Sequence, residues 1–199
     1  ITCRDWSSDV CSSDLVKSRR IENVFANFWG LMLLARDATY EKHIEHEQQE
    51  ERQFALALSE IAAALNSTRE LDSLLDMILN ILPRITNCDS ANIMLIEDGC
   101  GVVKRSLQSS LVCFALPVAT TENMRWMVEN RQPLVMPDTL DFPAWIFHPE
   151  TTWVRSYVGA PIVQQEQVIG FINLDSPTPN LYNARTAERL MSVANHVAI

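Results

Sequence analysis

The sequence predicts an α+β fold, an antiparallel sheet flanked by helices, and three observations lead to it. Residues 71–85 carry Leu71, Leu74, Leu75, Ile78, Leu79, Leu82 and Ile85 on one helical face, a stripe that must lie against something flat. Ser90 to Glu97 (SANIMLIE), Tyr157 to Val163 and Val168 to Leu174 read as strands, and the polar turn Gln164 to Gln167 joins the last two as a hairpin. A second amphipathic helix covers Asn183 to Ile199. The 199 residues are 47% hydrophobic and 21% charged with only 5 Gly, the composition of a core-forming chain of one ordinary domain plus part of another.

The elements follow in order. Val16 to Thr39 reads as a β-hairpin turning near Ala26 and Asn27, with Trp29 to Ala35 as its second strand. Two strands alone are marginal in water, so this piece is expected to be the end of a domain cut off upstream. Tyr40 to Leu65 has no Gly or Pro and is rich in Glu, Gln, Ala and Leu, which predicts one long helix. Phe54, Leu58, Ile61 and Leu65 form a short heptad seam on it. Asn66 and Ser67 break that pattern, and Ser67-x-x-Glu70 is a capping box for the next helix, which ends near Pro83. Asp98-Gly99 and Gly101 turn the chain into a strand over Val102 to Arg105. Thr121 to Asn130 is a short helix and Pro133 to Pro137 a short strand. Asp138 to Trp153, with two Pro and two Trp and no period, is a loop. The last helix stops without a cap, so the chain reads as truncated at both ends.

Charge and apolar runs exclude several classes. With 16 basic against 25 acidic residues, net −9, nothing invites a phosphate backbone or an anionic membrane, so neither nucleic acid nor membrane is an expected partner. The longest apolar stretch, Phe25 to Ala35, falls short of the ~20 residues that span a bilayer. The N-terminus does not read as a signal peptide. Asp5 to Leu15, DWSSDVCSSDL, resembles the conceptual translation of a common sequencing adapter, so residues 1–15 are set aside from fold reasoning. Beyond them Cys88, Cys100 and Cys113 have no C-x-x-C spacing, and reduced thiols in a cytoplasmic setting are expected.

Two resemblances sharpen this reading. Arg36-Asp37-Ala38-Thr39, leading into a charged helix, resembles the end of a PAS sensory domain, whose Asp-x-Thr junction ties the final strand to the outgoing helix. That resemblance implies a signal junction at Asp37 and Thr39. The helix IAAALNSTRELDSLLDMIL, the strand ANIMLIED, the segment RQPLVMPDT and the hairpin RSYVGAPIVQQEQVIGFINLDS are together similar to a GAF domain of bacterial sensor histidine kinases. The division it suggests is residues 16–39 as a PAS remnant, 40–56 as a signalling linker helix and 57–199 as the GAF domain. What it implies is a six-stranded antiparallel sheet with helices on one face and a small-molecule pocket on the other. The segment between Arg105 and Leu116 is shorter than that family's pattern for the part that covers the pocket.

Candidate chemistry is sparse. His43, His46 and Glu47 share a helical face but have no further ligand, so they read as a solvated face and no metal is expected. The residues after His46 and Glu47 lack the pattern of a kinase phosphoacceptor. No cysteine has the His neighbour of bilin-binding relatives, and the cyclic-nucleotide signature is absent, so no cofactor is expected. The candidate ligand-binding set is Asp138, Trp145, Trp153, Arg155, Tyr157 and Asp175, with Phe147 beside them, because aromatic walls with a few polar groups are what a small-molecule pocket needs. The expected function is non-enzymatic sensing of an unknown small molecule, relayed through flanking helices of a homodimer to an output domain such as a histidine kinase. A ligand-free dimerisation spacer is the alternative, and a methionine sulfoxide reductase using cysteine thiolates the third reading.

Overall fold

The computed structural model describes residues 21–22, 29–30, 38–67, 70–146 and 148–197. The chain forms two compact units that divide between Arg52 and Gln53. In the first, β1 (Ile21–Glu22) and β2 (Trp29–Gly30) pair antiparallel, with Glu22 opposite Trp29. The adapter-like residues 1–15 and Asp37 lie outside the described residues, as does the side chain of Thr39. α1 (Ala38–Ser67) is the uninterrupted helix its composition predicts.

In the second unit Ala57 and Ile61 of α1 are fully buried, and Phe54, Leu58 and Leu65 pack against the same core. The heptad seam is therefore occupied within its own chain and does not face outward. α2 (Leu71–Ile85) buries Leu74, Leu75, Ile78, Leu79, Ile81, Leu82 and Ile85, with Pro83 in its last turn. α2 begins three residues later than the expected capping box at Ser67 would place it. Ser67 is still helical in α1, and the N-cap of α2 is Glu70, whose side chain makes no capping bond.

The sheet consists of β3 (Ser90–Glu97), β4 (Cys100–Ser106), β5 (Ala115–Pro117), β6 (Leu134–Met136), β7 (Ser156–Gln164) and β8 (Gln167–Ser176). Its spatial order is β5-β4-β3-β8-β7-β6, and every neighbouring pair is antiparallel. The β3–β4 turn places Asp98 and Gly99 at φ 48° and 78°, and the β7–β8 turn places Gln165 and Glu166 at 47° and 67°. Both are the twist-matched hairpin geometry, the second achieved without glycine. α3 (Glu122–Asn130) and α4 (Ala184–Val197) complete the fold. β5 escaped the strand-by-strand reading because three residues ending in proline are too few to show alternation.

Alternation along the strands divides the core in two. Ala91, Ile93, Val158, Ala160, Ile162, Ile172 and Leu174 face α2, α4 and the second half of α1. On the other face Met94, Val103 and Phe171 meet Leu111 and the α3 residues Met124 and Met127. The second face is covered mainly by α3 and loops, and its covering is incomplete. Among the described residues no helix is long and apolar enough to cross a membrane, and no group of His, Cys, Asp and Glu is placed to hold a metal.

Candidate functional site

The second face of the sheet carries a cavity of about 70 Å³. Asn92 on β3, Asn173 and Asp175 on β8 and Tyr157 on β7 form a polar row along it, brought together because Asn92 pairs with Asn173 and Tyr157 with Asp175 in the sheet register. Tyr157 Oη donates to Asn173 Oδ1 at 2.7 Å, Asn173 Nδ2 to Asn92 Oδ1 at 2.8 Å, and Asn92 Nδ2 to Asp175 Oδ2 at 3.2 Å. All four side chains are buried. Apolar walls come from Met94, Val103, Leu111, Phe114, Leu116 and Met124, while Trp145, Ile146, His148 and Thr151 close the site from the loop before β7. The Phe114 and His148 rings meet at 4.4 Å between centroids, joining the two covering segments. The short segment between Arg105 and Leu116 thus supplies part of the wall.

Gly159 explains why Tyr157 reaches the row. The two residues project from the same side of β7, and a Cβ at 159 would lie 2.2 Å from Tyr157 Oη and 3.0 Å from Asn173 Oδ1. The ring lies in the space that glycine leaves. Gly159→Ala is therefore expected to separate Tyr157 from Asn173 and to disturb Trp145, whose ring sits 5.2 Å from that of Tyr157. In an ¹⁵N NMR spectrum the Trp145 indole and Asn173 amide resonances should move together; unchanged resonances would show that the phenol does not need this space.

Burial sets the electrostatics. Asp175 is pushed up to about 7 by desolvation, partly offset by the Asn92 hydrogen bond, so its carboxyl is balanced between protonated and ionised at neutral pH. The Tyr157 phenol is raised by burial, with the nearby Asn123 amide opposing, and stays neutral. No Lys or Arg is among the residues lining the cavity. Trp145 Nε1 is buried and has no acceptor among the described residues.

Of the residues expected from sequence, Trp145, Tyr157 and Asp175 come together here and the others do not. Asp138 is engaged by Arg155 through Nε at 3.0 Å and Nη2 at 2.6 Å, which holds the carboxyl below its usual range, and neither residue lines the cavity. Their pairing follows from the loop geometry: Thr139 N donates to Arg155 O, which brings the two segments side by side. Trp153 donates from Nε1 to Glu150 O at 2.9 Å and packs with Met136, Val154 and Tyr157, closing a small core behind the site. Phe147 lies outside the described residues. Sequence reasoning missed Asn92, Asn173, Asn123, Thr121 and His148. A signal existed for the first two, since each is an amide in the middle of an apolar strand, ANIML and FINL.

The fold has counterparts among known proteins. The model of the GAF domain family matches residues 70–199. The chain belongs to the GAF domain family. No curated protein matches it. Among solved structures it is similar to the GAF domain of a phosphoenolpyruvate-protein phosphotransferase from Coxiella burnetii, at 18% identity and TM-score 0.65, covering 73% of this chain and 90% of that one. It is also similar to free methionine-R-sulfoxide reductase from Neisseria meningitidis in complex with its substrate, at 16% identity and TM-score 0.62, over 72% of this chain and 85% of the other. A third is the chromophore-binding domain of an unusual bacteriophytochrome from R. palustris, at 15% identity and TM-score 0.58, over 76% and 59% of the two chains. At such identities the likeness is one of fold.

Proposed function

We propose that this GAF domain is a non-catalytic sensory module that binds a small molecule in the cavity and passes its occupancy to the helices on the opposite face of the sheet. The observation that carries the reading is the buried row Tyr157–Asn173–Asn92–Asp175 beneath otherwise apolar walls. A core built for packing alone has no use for four adjacent polar side chains, which cost stability unless they are paired. β3, β7 and β8 bear this row on one face and the α2 and α4 contacts on the other, so a shift in these strands reaches the helices directly. The reductase in complex with its substrate and the chromophore-binding domain support a pocket in this fold, each for its own ligand. A reductase reading of this chain ranks lower because Cys88, Cys100 and Cys113 are not among the residues lining the cavity.

A thermal-shift screen of small metabolites, read through tryptophan fluorescence, tests the proposal. Binding to the folded state at a hundredfold excess over Kd adds ~2.7 kcal/mol, so a ligand is expected to raise the melting temperature by several degrees. Trp145→Phe should remove the fluorescence response and Trp153→Phe should keep it. A screen without hits would favour the spacer reading.

The wider setting belongs to the same proposal: a PAS remnant over residues 16–39, a homodimer through the helices, a cytoplasmic location and a histidine kinase output. The dimer needs a face other than the buried seam, and Leu56 on α1, 55% exposed, offers one. Recovery of the full-length gene and Leu56→Cys crosslinking of its product test this setting.

A further inference from the structure

The cavity contains a buried carboxyl and no Lys or Arg among its lining residues. Resting on the sensory reading above, we propose that its ligand is a small molecule bearing a cationic nitrogen group, an ammonium or amidinium, that donates to Asp175. The direction of the polar row leads there. Tyr157 donates to Asn173, Asn173 to Asn92 and Asn92 to Asp175, so each member spends a donor toward the carboxyl and Asp175 is the terminal acceptor. Asn92 is its one hydrogen-bond donor among the described residues. A carboxylate offers about four acceptor sites, and a buried one is unstable without a cation or several donors.

The groups around Asp175 do not supply that cation. Cys88 and Asp89 lie in the α2–β3 connection, Tyr157 on β7 and Tyr182 ahead of α4, and none of these side chains carries positive charge. His148, in the covering loop, accepts at Nδ1 from Glu150 N at 3.4 Å and packs on Phe114. An anionic ligand would meet an unfavourable charge at the floor and find no guanidinium or ammonium at the walls. Size narrows the class further. At ~10–15 Å³ per water, a cavity of about 70 Å³ admits about five to seven waters, which corresponds to a compact ligand and not to a nucleotide or tetrapyrrole. Because the carboxyl titrates near 7, a cation pairs with it fully only above that pH, and binding below it must release the proton to solvent.

Acetamidine, acetamide and acetate provide the test, because the three have nearly the same shape and differ in charge. Each is titrated into the protein while the Trp145 indole N–H is followed by NMR. Acetamidinium at pH 8 should move the resonance to saturation, acetate should not, and the amidinium affinity should fall about tenfold at pH 6 as Asp175 takes up its proton. Asp175→Asn should abolish the preference for acetamidinium over acetamide. His148→Gln should keep the pH dependence, which separates the carboxyl from the imidazole. Acetate binding as well as acetamidinium, or an amidinium affinity independent of pH, would overturn the proposal. If acetamide alone moves the resonance, the charge rule fails and the small-molecule cavity stands; if none of the three does, the cation proposal falls, while the metabolite screen decides the sensory reading separately.

Discussion

Gly170→Ala is expected to lower the melting temperature by about 10 °C. A Cβ at position 170 would lie 2.3 Å from the backbone carbonyl oxygen of Met94 and 3.0 Å from the Leu95 side chain. β3 and β8 pair there, Leu95 opposite Gly170 and Met94 opposite Phe171, at the centre of the six-stranded sheet. A backbone carbonyl in a ladder cannot turn aside like the tip of a flexible side chain, so the strands must separate. Overpacking of this kind costs ~3 kcal/mol, and each kcal/mol moves a domain of this size by ~2–4 °C. Gly99→Ala is the control: its φ of 78° strains alanine, but nothing lies within 4 Å, so only ~1 kcal/mol is lost. Urea denaturation should show a lower midpoint and an unchanged slope for Gly170→Ala. A variant melting within two degrees of the parent would mean that the strands are not so closely apposed.

Asp175→Asn is expected to stabilise the protein at pH 8 and to leave it nearly unchanged at pH 4. The folded carboxyl titrates at about 7, well above the ordinary aspartate range, so the folded state holds the proton more tightly than the unfolded chain does. That contribution is complete below the unfolded value, is lost as pH rises from about 4 through 7, and changes no further above. A shift of this size corresponds to up to about 4 kcal/mol across the window. Asparagine keeps an acceptor for Asn92 Nδ2 and has no charge to bury. Comparing the two proteins by urea denaturation at several pH values cancels the other titrating groups. A difference constant between pH 4 and pH 8 would show that Asp175 ionises as freely when folded as when unfolded. The same substitution removes the proposed partner of a cationic ligand, so gained stability and lost ligand preference would be the stability–function exchange common at binding sites.

Local patterns made most of the elements readable. The apolar stripe of α2 lies where its spacing puts it except at its first turn, where Leu71 is exposed, and Ile81 joins the buried face; β3, β7 and β8 agree with the runs that predicted them to within two residues. The glycines of the most family-like hairpin also have a cause: Gly159 makes room for a side chain and Gly170 for a neighbouring backbone. The site was less legible. Trp145, Tyr157 and Asp175 stood out by residue type, whereas Asp138 and Arg155 looked equally suited until the loop geometry paired them with each other. Nothing local distinguishes a charged residue that meets a ligand from one that meets its counter-charge seventeen positions away.

What the sequence by itself determined is the fold class, the strands and α-helices of the second unit apart from β5, and the acidic, core-forming character of the chain, because periodicity, propensity and turn chemistry act within a few residues. The short 3-10 turns at Ser109–Leu111, Thr139–Asp141 and Pro149–Thr151 carry no such signal. Only the tertiary structure decided which faces meet. Sheet register places Asn92 beside Asn173 although they are far apart in the chain, and the packing of α1 turns its heptad seam into its own core. The pull on Asp175 arises from the same source, since desolvation is exerted by whatever surrounds a group in space and not by its neighbours in sequence.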